Sequence, residues 1–153
     1  MERKFFIPKP EVVHEVADDE LPPDRWKILI LDDDDALSSL LKDHFSAQGH
    51  LVTTVKTGVE GIKHVMATEF DIILCDMVMP TMPGDMFFRA VERVRPHLCK
   101  RFIFMTGHRG DAKIEAFIRS VKGLVLYKPF ELHTLTDYLQ AIVKKSQTAG
   151  TAK

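Results

Sequence analysis

Four places in this sequence hold residues whose chemistry goes beyond what folding requires: the acidic run Asp32 to Asp35, then Asp76, Thr106 and Lys128. Acids at a helix start gain about 0.3–1 kcal/mol from the helix dipole and can cap a free N–H, which accounts for Asp34 or Asp35. It accounts less well for Asp32 and Asp33, because neighbouring carboxylates oppose one another's ionisation unless a cation intervenes. A hard divalent ion resolves that conflict: Mg²⁺ takes one or two carboxylates, some waters and substrate oxygens. Asp76 stands before the loop MVMPTMPG. Alone it reads as a turn residue, but beside a metal a carboxylate can attack phosphorus and carry an acyl phosphate. A transferred phosphoryl group needs its charge neutralised more than it needs an acid or base, and an ammonium such as that of Lys128 supplies this. Thr106, with Gly107 keeping the approach open, offers a hydroxyl donor.

These residues share a position relative to the elements around them. Four apolar runs of four residues, Ile28 to Leu31, Ile72 to Cys75, Phe102 to Met105 and Leu124 to Tyr127, read as strands buried on both faces. Asp32, Asp76, Thr106 and Lys128 each follow one run directly. The more polar Leu51 to Val55 suits an edge strand. Helical spacing separates the strands: Leu37, Leu40, Leu41 and Phe45 before a stop at Gly49; Val59, Ile62, Val65 and Met66; Phe87, Val91 and Val94; a weaker stretch at Ala112 to Arg119; and Leu132, Leu135, Leu139, Ile142 and Val143. Five β-α repeats predict an α/β fold, a doubly wound (βα)5 sandwich. Its ligands bind beyond the carboxyl ends of the strands. Lys128 precedes Pro129, and a cis Lys-Pro bond would fix the direction of the lysine.

The chain has 153 residues, 45% apolar and 28% charged, which suits one compact domain with tails. Its net charge of −1 provides no bulk field for nucleic acid or anionic lipid, so no direct nucleic-acid binding is expected. Two cysteines, Cys75 and Cys99, make no disulfide framework or metal pattern, and no apolar run approaches membrane-spanning length. A cytoplasmic protein without membrane insertion is expected. Residues 1–26, with four prolines and seven acids, read as a flexible N-terminal arm or linker; 27–145 is the expected folded unit, and 146–153 a flexible C-terminal tail.

The motifs ILILDDDD, DIILCDMVMPTMPG, FIFMTG and LYKPF, in this order over about residues 27–145, resemble the receiver domain of two-component response regulators, the CheY-like superfamily. The resemblance implies a flavodoxin-like parallel sheet in the order 2-1-3-4-5. It implies that Asp76 accepts a phosphoryl group from a sensor histidine kinase or phosphotransfer protein. Asp33, Asp76 and the backbone carbonyl of Val78 would bind Mg²⁺, or Mn²⁺ in its place, with Asp32 acting through water. Lys128 would pair with Asp76 and then with the phosphate. Thr106 would move toward it, and the face of helix four, strand five and helix five would signal to a partner or form a homodimer. Val78 and His108 correspond to the pair that tunes phosphoryl lifetime. The switch position three residues before Lys128, commonly aromatic, is here Val125; Tyr127 is expected to point to the opposite face.

Two other readings compete. A haloacid-dehalogenase-like phosphatase would use Asp32-x-Asp34, Thr106 and Lys128, but it leaves Asp76 without a role, and no acidic pair closes a later strand. A pseudo-receiver would keep the fold without the phosphorylation; the intact set of five residues opposes it. The output, whether of a stand-alone receiver or of a segment in a larger regulator, is not written in these residues. The methionines Met77, Met79, Met82 and Met86 are read as packing groups.

Overall fold

The computed structural model describes residues 25–151, with side chains described to residue 144. Five strands, β1 (Lys27–Leu31), β2 (Leu51–Val55), β3 (Ile72–Asp76), β4 (Phe102–Thr106) and β5 (Leu124–Tyr127), form one sheet in the order β2-β1-β3-β4-β5. Every pairing is parallel. Between and after them run α1 (Asp35–Ala47), α2 (Gly58–Ala67), α3 (Gly84–Val94), α4 (Ala112–Val121) and α5 (Leu132–Thr151). The fold is the doubly wound, flavodoxin-like sandwich expected.

Strand side chains alternate between two cores, as a period of two demands. Leu29, Leu31, Ile73, Cys75, Phe102 and Phe104 pack with residues of α2, α3 and α4. Ile28, Ile30, Ile72, Leu74, Ile103, Met105 and Leu126 pack with α1 and α5. β3 and β4 are buried at every position, whereas β2 and β5 are partly open edges. No helix among the described residues is long and apolar enough to cross a membrane.

Local chemistry sets the helix ends. Asp34 caps α1, its Oδ1 accepting the Leu37 N–H at 3.1 Å, as its place in the acidic run suggested. At the other end, the Gly49 N–H bonds the Ser46 carbonyl and the His50 N–H bonds the Phe45 carbonyl, while Gly49 adopts φ 96°. This pair closes the helix in a Schellman motif, which favours glycine at the left-handed residue. α4 ends with the same two bonds, from Lys122 to Arg119 and from Gly123 to Ile118, but its left-handed residue is Lys122, φ 55°. The glycine is used one place later, where a Cβ on Gly123 would stand 2.6 Å from the Phe104 ring.

Two expected boundaries shift. Residues 1–24 of the expected arm lie outside the described residues, but Trp26 belongs to the fold: its carbonyl accepts the Leu51 N–H, extending the β1–β2 ladder, and its ring stacks on His50 with centroids 4.6 Å apart. The α5 backbone continues past residue 145 to Thr151, since nothing in SQTA breaks a helix; Ala152 and Lys153 lie outside the described residues. Cys99 lies in a 3-10 helix over Pro96–Arg101. Met77 and Met79 are buried as packing groups, but Met86 is exposed on α3.

Candidate functional site

The parallel register brings the strand ends together. Beyond the strands proper, the Asp32 N–H bonds the Val55 carbonyl, the Met77 N–H bonds that of Met105, and the Lys128 N–H bonds that of Thr106. Asp32, Asp76, Thr106 and Lys128 are thereby held side by side on one sheet edge. Asp32, Asp76 and Thr106 are buried, and each accepts a hydrogen bond from a backbone N–H of the loop that follows it.

Oxygen atoms of Asp32, Asp33 and Asp76 all lie within 4.8 Å of one another, with Asp33 on the exposed side. One ammonium faces them. Lys128 Nζ lies 2.8 Å from Asp32 Oδ2 and 3.4 Å from Asp76 Oδ2. Lys128 therefore spans both acids and hydrogen-bonds the nearer one, Asp32, rather than pairing with Asp76 alone. Asp32 Oδ1 is also engaged, accepting the Asp34 N–H at 2.9 Å, and Asp76 Oδ1 accepts the Val78 N–H at 3.1 Å.

Three carboxylates against one ammonium leave the cluster short of positive charge. Burial, and then the Asp32 charge, push the Asp76 carboxyl up to about 6, against the opposing pull of the Val78 N–H and of Lys128. For Lys128 burial acts downward, but the Asp32 hydrogen bond and the Asp76 and Asp32 charges outweigh it and raise its pKa. An all-oxygen donor set with surplus negative charge and one open side suits a hard divalent cation that keeps part of its water shell. Mg²⁺ fits these residues.

The remaining expected residues lie around this cluster. Thr106 Oγ1 accepts the His108 N–H at 3.0 Å. His108 and Val78 are exposed, and Val125 is half-buried against the core on the α2–α4 side. The expected direction of Tyr127 is corrected: two residues from Val125 it lies on the same face, because strand side chains alternate with a period of two. Tyr127 is the register partner of Thr106, and Arg109 of the next loop stacks on its ring. The Lys128–Pro129 peptide is cis.

Gly84 was read only as the end of the loop after Asp76, yet it is part of the support of the site. A Cβ there would meet the Asp76 carbonyl oxygen at 2.7 Å and the Met77 Cα at 2.8 Å, both backbone atoms. Only glycine lets α3 begin directly against the backbone that carries Asp76. Its signal was present in the sequence as a glycine following Pro83 at a helix start.

The family model for the response regulator receiver domain matches residues 28–140. The response regulator receiver protein CpdR of Brucella abortus is 26% identical over 117 residues, covering 76% of this chain and 96% of CpdR. The sensor kinase CckA of the same species is 28% identical over 120 residues, which make up 77% of this chain and 12% of the kinase. The transcriptional regulatory protein AfsQ1 of Streptomyces coelicolor is 25% identical over 81% of this chain and 54% of its own length. The chain thus spans about half or less of those two longer relatives. Among solved structures, a CheY-like receiver domain protein from Methanospirillum hungatei superposes with a TM-score of 0.74 at 22% identity, covering 82% of this chain and 98% of that one. The receiver domain of a sensor histidine kinase from Pseudomonas aeruginosa, described with a magnesium ion coordinated in its active-site cleft, gives 0.69 at 21% identity, covering 78% and 98%. Because the family match runs from the first strand into the last helix and takes in the whole acidic edge, the chain belongs to the response regulator receiver domain family.

Proposed function

We propose that this chain is a phosphoacceptor switch in which Asp76 takes a phosphoryl group from a phosphohistidine on a sensor histidine kinase or phosphotransfer protein. The observation that carries the reading is the convergence of Asp32, Asp33 and Asp76 with Lys128 at one sheet edge. Asp33, Asp76 and the Val78 carbonyl would hold Mg²⁺, with Asp32 acting through water. When bound, that ion offsets the negative charge of the carboxylates and of the incoming phosphoryl oxygens, which otherwise repel one another.

In the transfer, an Asp76 carboxylate oxygen forms the new O–P bond as the P–N bond to the donor imidazole breaks. The departing nitrogen takes its proton from the donor side or solvent. Lys128, spanning Asp32 and Asp76, holds its ammonium where the phosphoryl oxygens arrive. Thr106, on the neighbouring strand end, supplies a hydroxyl that the added charge draws in. The face of α4, β5 and α5 is the proposed output surface, for a partner or a second copy, since β5 leads into Lys128 and α4 follows the loop after Thr106. Val78 and His108 would govern water access and with it phosphoryl lifetime, a role that their exposure supports.

The phosphatase reading requires Asp34 as its second acid. Here Asp34 is the cap of α1, and Asp33 joins the cluster in its stead. Intact mass after incubation with Mg²⁺ and acetyl phosphate is the test. A single base-labile adduct that requires Mg²⁺ and is lost in Asp76→Asn is the expected result. Rapid donor turnover dependent on Asp32 would instead support the hydrolase, and no adduct at all a pseudo-receiver.

A further inference from the structure

The loop joining Thr106 to α4 is held mostly by hydrogen bonds that its backbone N–H groups donate to near neighbours in sequence. The His108 N–H bonds Thr106 Oγ1, the Asp111 N–H bonds the His108 carbonyl, and the Gly110 N–H bonds Glu115 Oε2. A Cβ on Gly107 or Gly110 would meet nothing within 4 Å, so packing does little to fix the path of the chain there. One side-chain contact ties the loop across the sheet: the Arg109 guanidinium carbon sits 3.9 Å from the centroid of the Tyr127 ring. Tyr127 is the register partner of Thr106 and immediately precedes Lys128. The contact therefore spans from the residue three places after the hydroxyl to the residue beside the ammonium.

Sheet order gives this contact a direction. β4 lies between β3, which ends in Asp76, and β5, which ends in Tyr127. A pull on Thr106 toward a phosphoryl group on Asp76 is a pull toward β3 and away from β5. The loop that follows Thr106 is meanwhile held to β5 through Arg109. Val125, earlier on the same face, has no ring to couple to this motion.

Resting on the phosphoacceptor reading above, we propose that the Arg109–Tyr127 stack is a latch between the β4–α4 loop and β5 that opposes the movement of Thr106 and so sets the threshold of the switch. A cation over an aromatic face at an exposed site is a modest interaction, so its release shifts the equilibrium by about two- to five-fold. Arg109 and Tyr127 act here as positioning residues, through the loop, with no contact to the phosphoryl group.

Beryllofluoride with Mg²⁺ is the probe, titrated by calorimetry into the unaltered chain and into Arg109→Gln, Tyr127→Leu, their combination and Tyr127→Phe. Amide hydrogen exchange at His108 and Gly110 is followed without the probe. Arg109→Gln and Tyr127→Leu should each bind the probe about two- to five-fold more tightly and exchange faster in the loop. The double variant should gain no more than either single one, because both remove the same contact. Tyr127→Phe, which keeps the ring, should match the unaltered chain. Faster exchange with unchanged affinity would overturn the latch and leave a merely structural contact. Weaker binding by Arg109→Gln would also overturn it, and would make the guanidinium a ligand of the phosphoryl group. Failure of the unaltered chain to bind the probe would remove the phosphoacceptor reading and the latch with it. Arg109 is exposed, so Arg109→Gln keeps the test available if Tyr127→Leu does not fold.

Discussion

Replacing the proposed phosphoacceptor should make the protein more stable in the absence of divalent metal. Asp76 is buried beside Asp32, and its carboxyl is pushed from 3.8 up to about 6. At one pKa unit per 1.36 kcal/mol, that rise costs the folded state about 3 kcal/mol once Asp76 is ionised. Asp76→Asn removes the charge, while its amide oxygen can still accept the Val78 N–H, and Lys128 retains Asp32. The acids share the penalty, so the expected gain is about 1–3 kcal/mol, readable by urea unfolding at pH 7.5 with a chelator present. The pH dependence carries a definite sign. Between about pH 4 and 6 the folded state keeps a proton that the unfolded chain has released, so the unaltered protein loses stability as pH rises through this window. Above about 6 the loss is complete, and below about 4 it is absent. The advantage of Asp76→Asn should therefore grow from about pH 4 to 6 and then level off. Saturating Mg²⁺ should stabilise the unaltered chain more than the variant, because binding to the folded state alone adds its own free energy. An Asn variant no more stable than the parent at pH 7.5 with chelator, or a gain independent of pH, would refute the electrostatic account of this cluster.

Other expectations follow from single contacts. Gly84→Ala should destabilise by about 1–3 kcal/mol in urea unfolding and reduce phosphorylation from acetyl phosphate, since its Cβ presses on the backbone of Asp76 and Met77. Lys122→Gly should raise stability by about 1 kcal/mol by relieving the left-handed backbone at the end of α4, with the shift read in the same assay. Glu69, where His97 at 2.7 Å and Arg101 at 2.9 Å meet it alongside Arg95, has a lowered pKa even though burial acts to raise it. Its contribution is present above the ordinary glutamate range and lost as pH falls through the lowered value. Because Glu69 is half-exposed and screened by solvent, Glu69→Gln should cost less than about 1 kcal/mol at neutral pH and progressively less in acid.

The site was legible in the sequence because buried parallel strands are short apolar runs, and parallel register places whatever follows each run on the same edge. Asp32, Asp76, Thr106 and Lys128 needed no further information to be grouped. What escaped reading depended on contacts rather than period. The 3-10 helix over Pro96–Arg101 has too few turns for a hydrophobic repeat to show. Trp26 follows an acidic, proline-rich segment, and only the Leu51 N–H on its carbonyl and its stacking on His50 reveal that the sheet starts there. The preference of Lys128 for Asp32 over Asp76 is a matter of sub-ångström reach that no motif encodes. Gly84 and Gly123 were visible as glycines, but the atoms that forbid a side chain at each come from β3 and β4, distant in sequence in one case and hidden in the backbone in the other.

The uneven burial of the strands has a consequence for timing. β3 and β4 have no exposed position, whereas β5 shows partial exposure at three of its four residues. Amides in the central strands should exchange with solvent only through opening of the whole domain, while those of β5 should exchange through small local excursions. The proposed acceptor carboxylate is thus mounted on the slowest part of the molecule, and the strand within the proposed output face belongs to the fastest ordered part. If Asp76 carries the proposed acyl phosphate, that event can be reported many times over by an edge that samples its alternatives within each lifetime, without the core that holds Asp76 being disturbed.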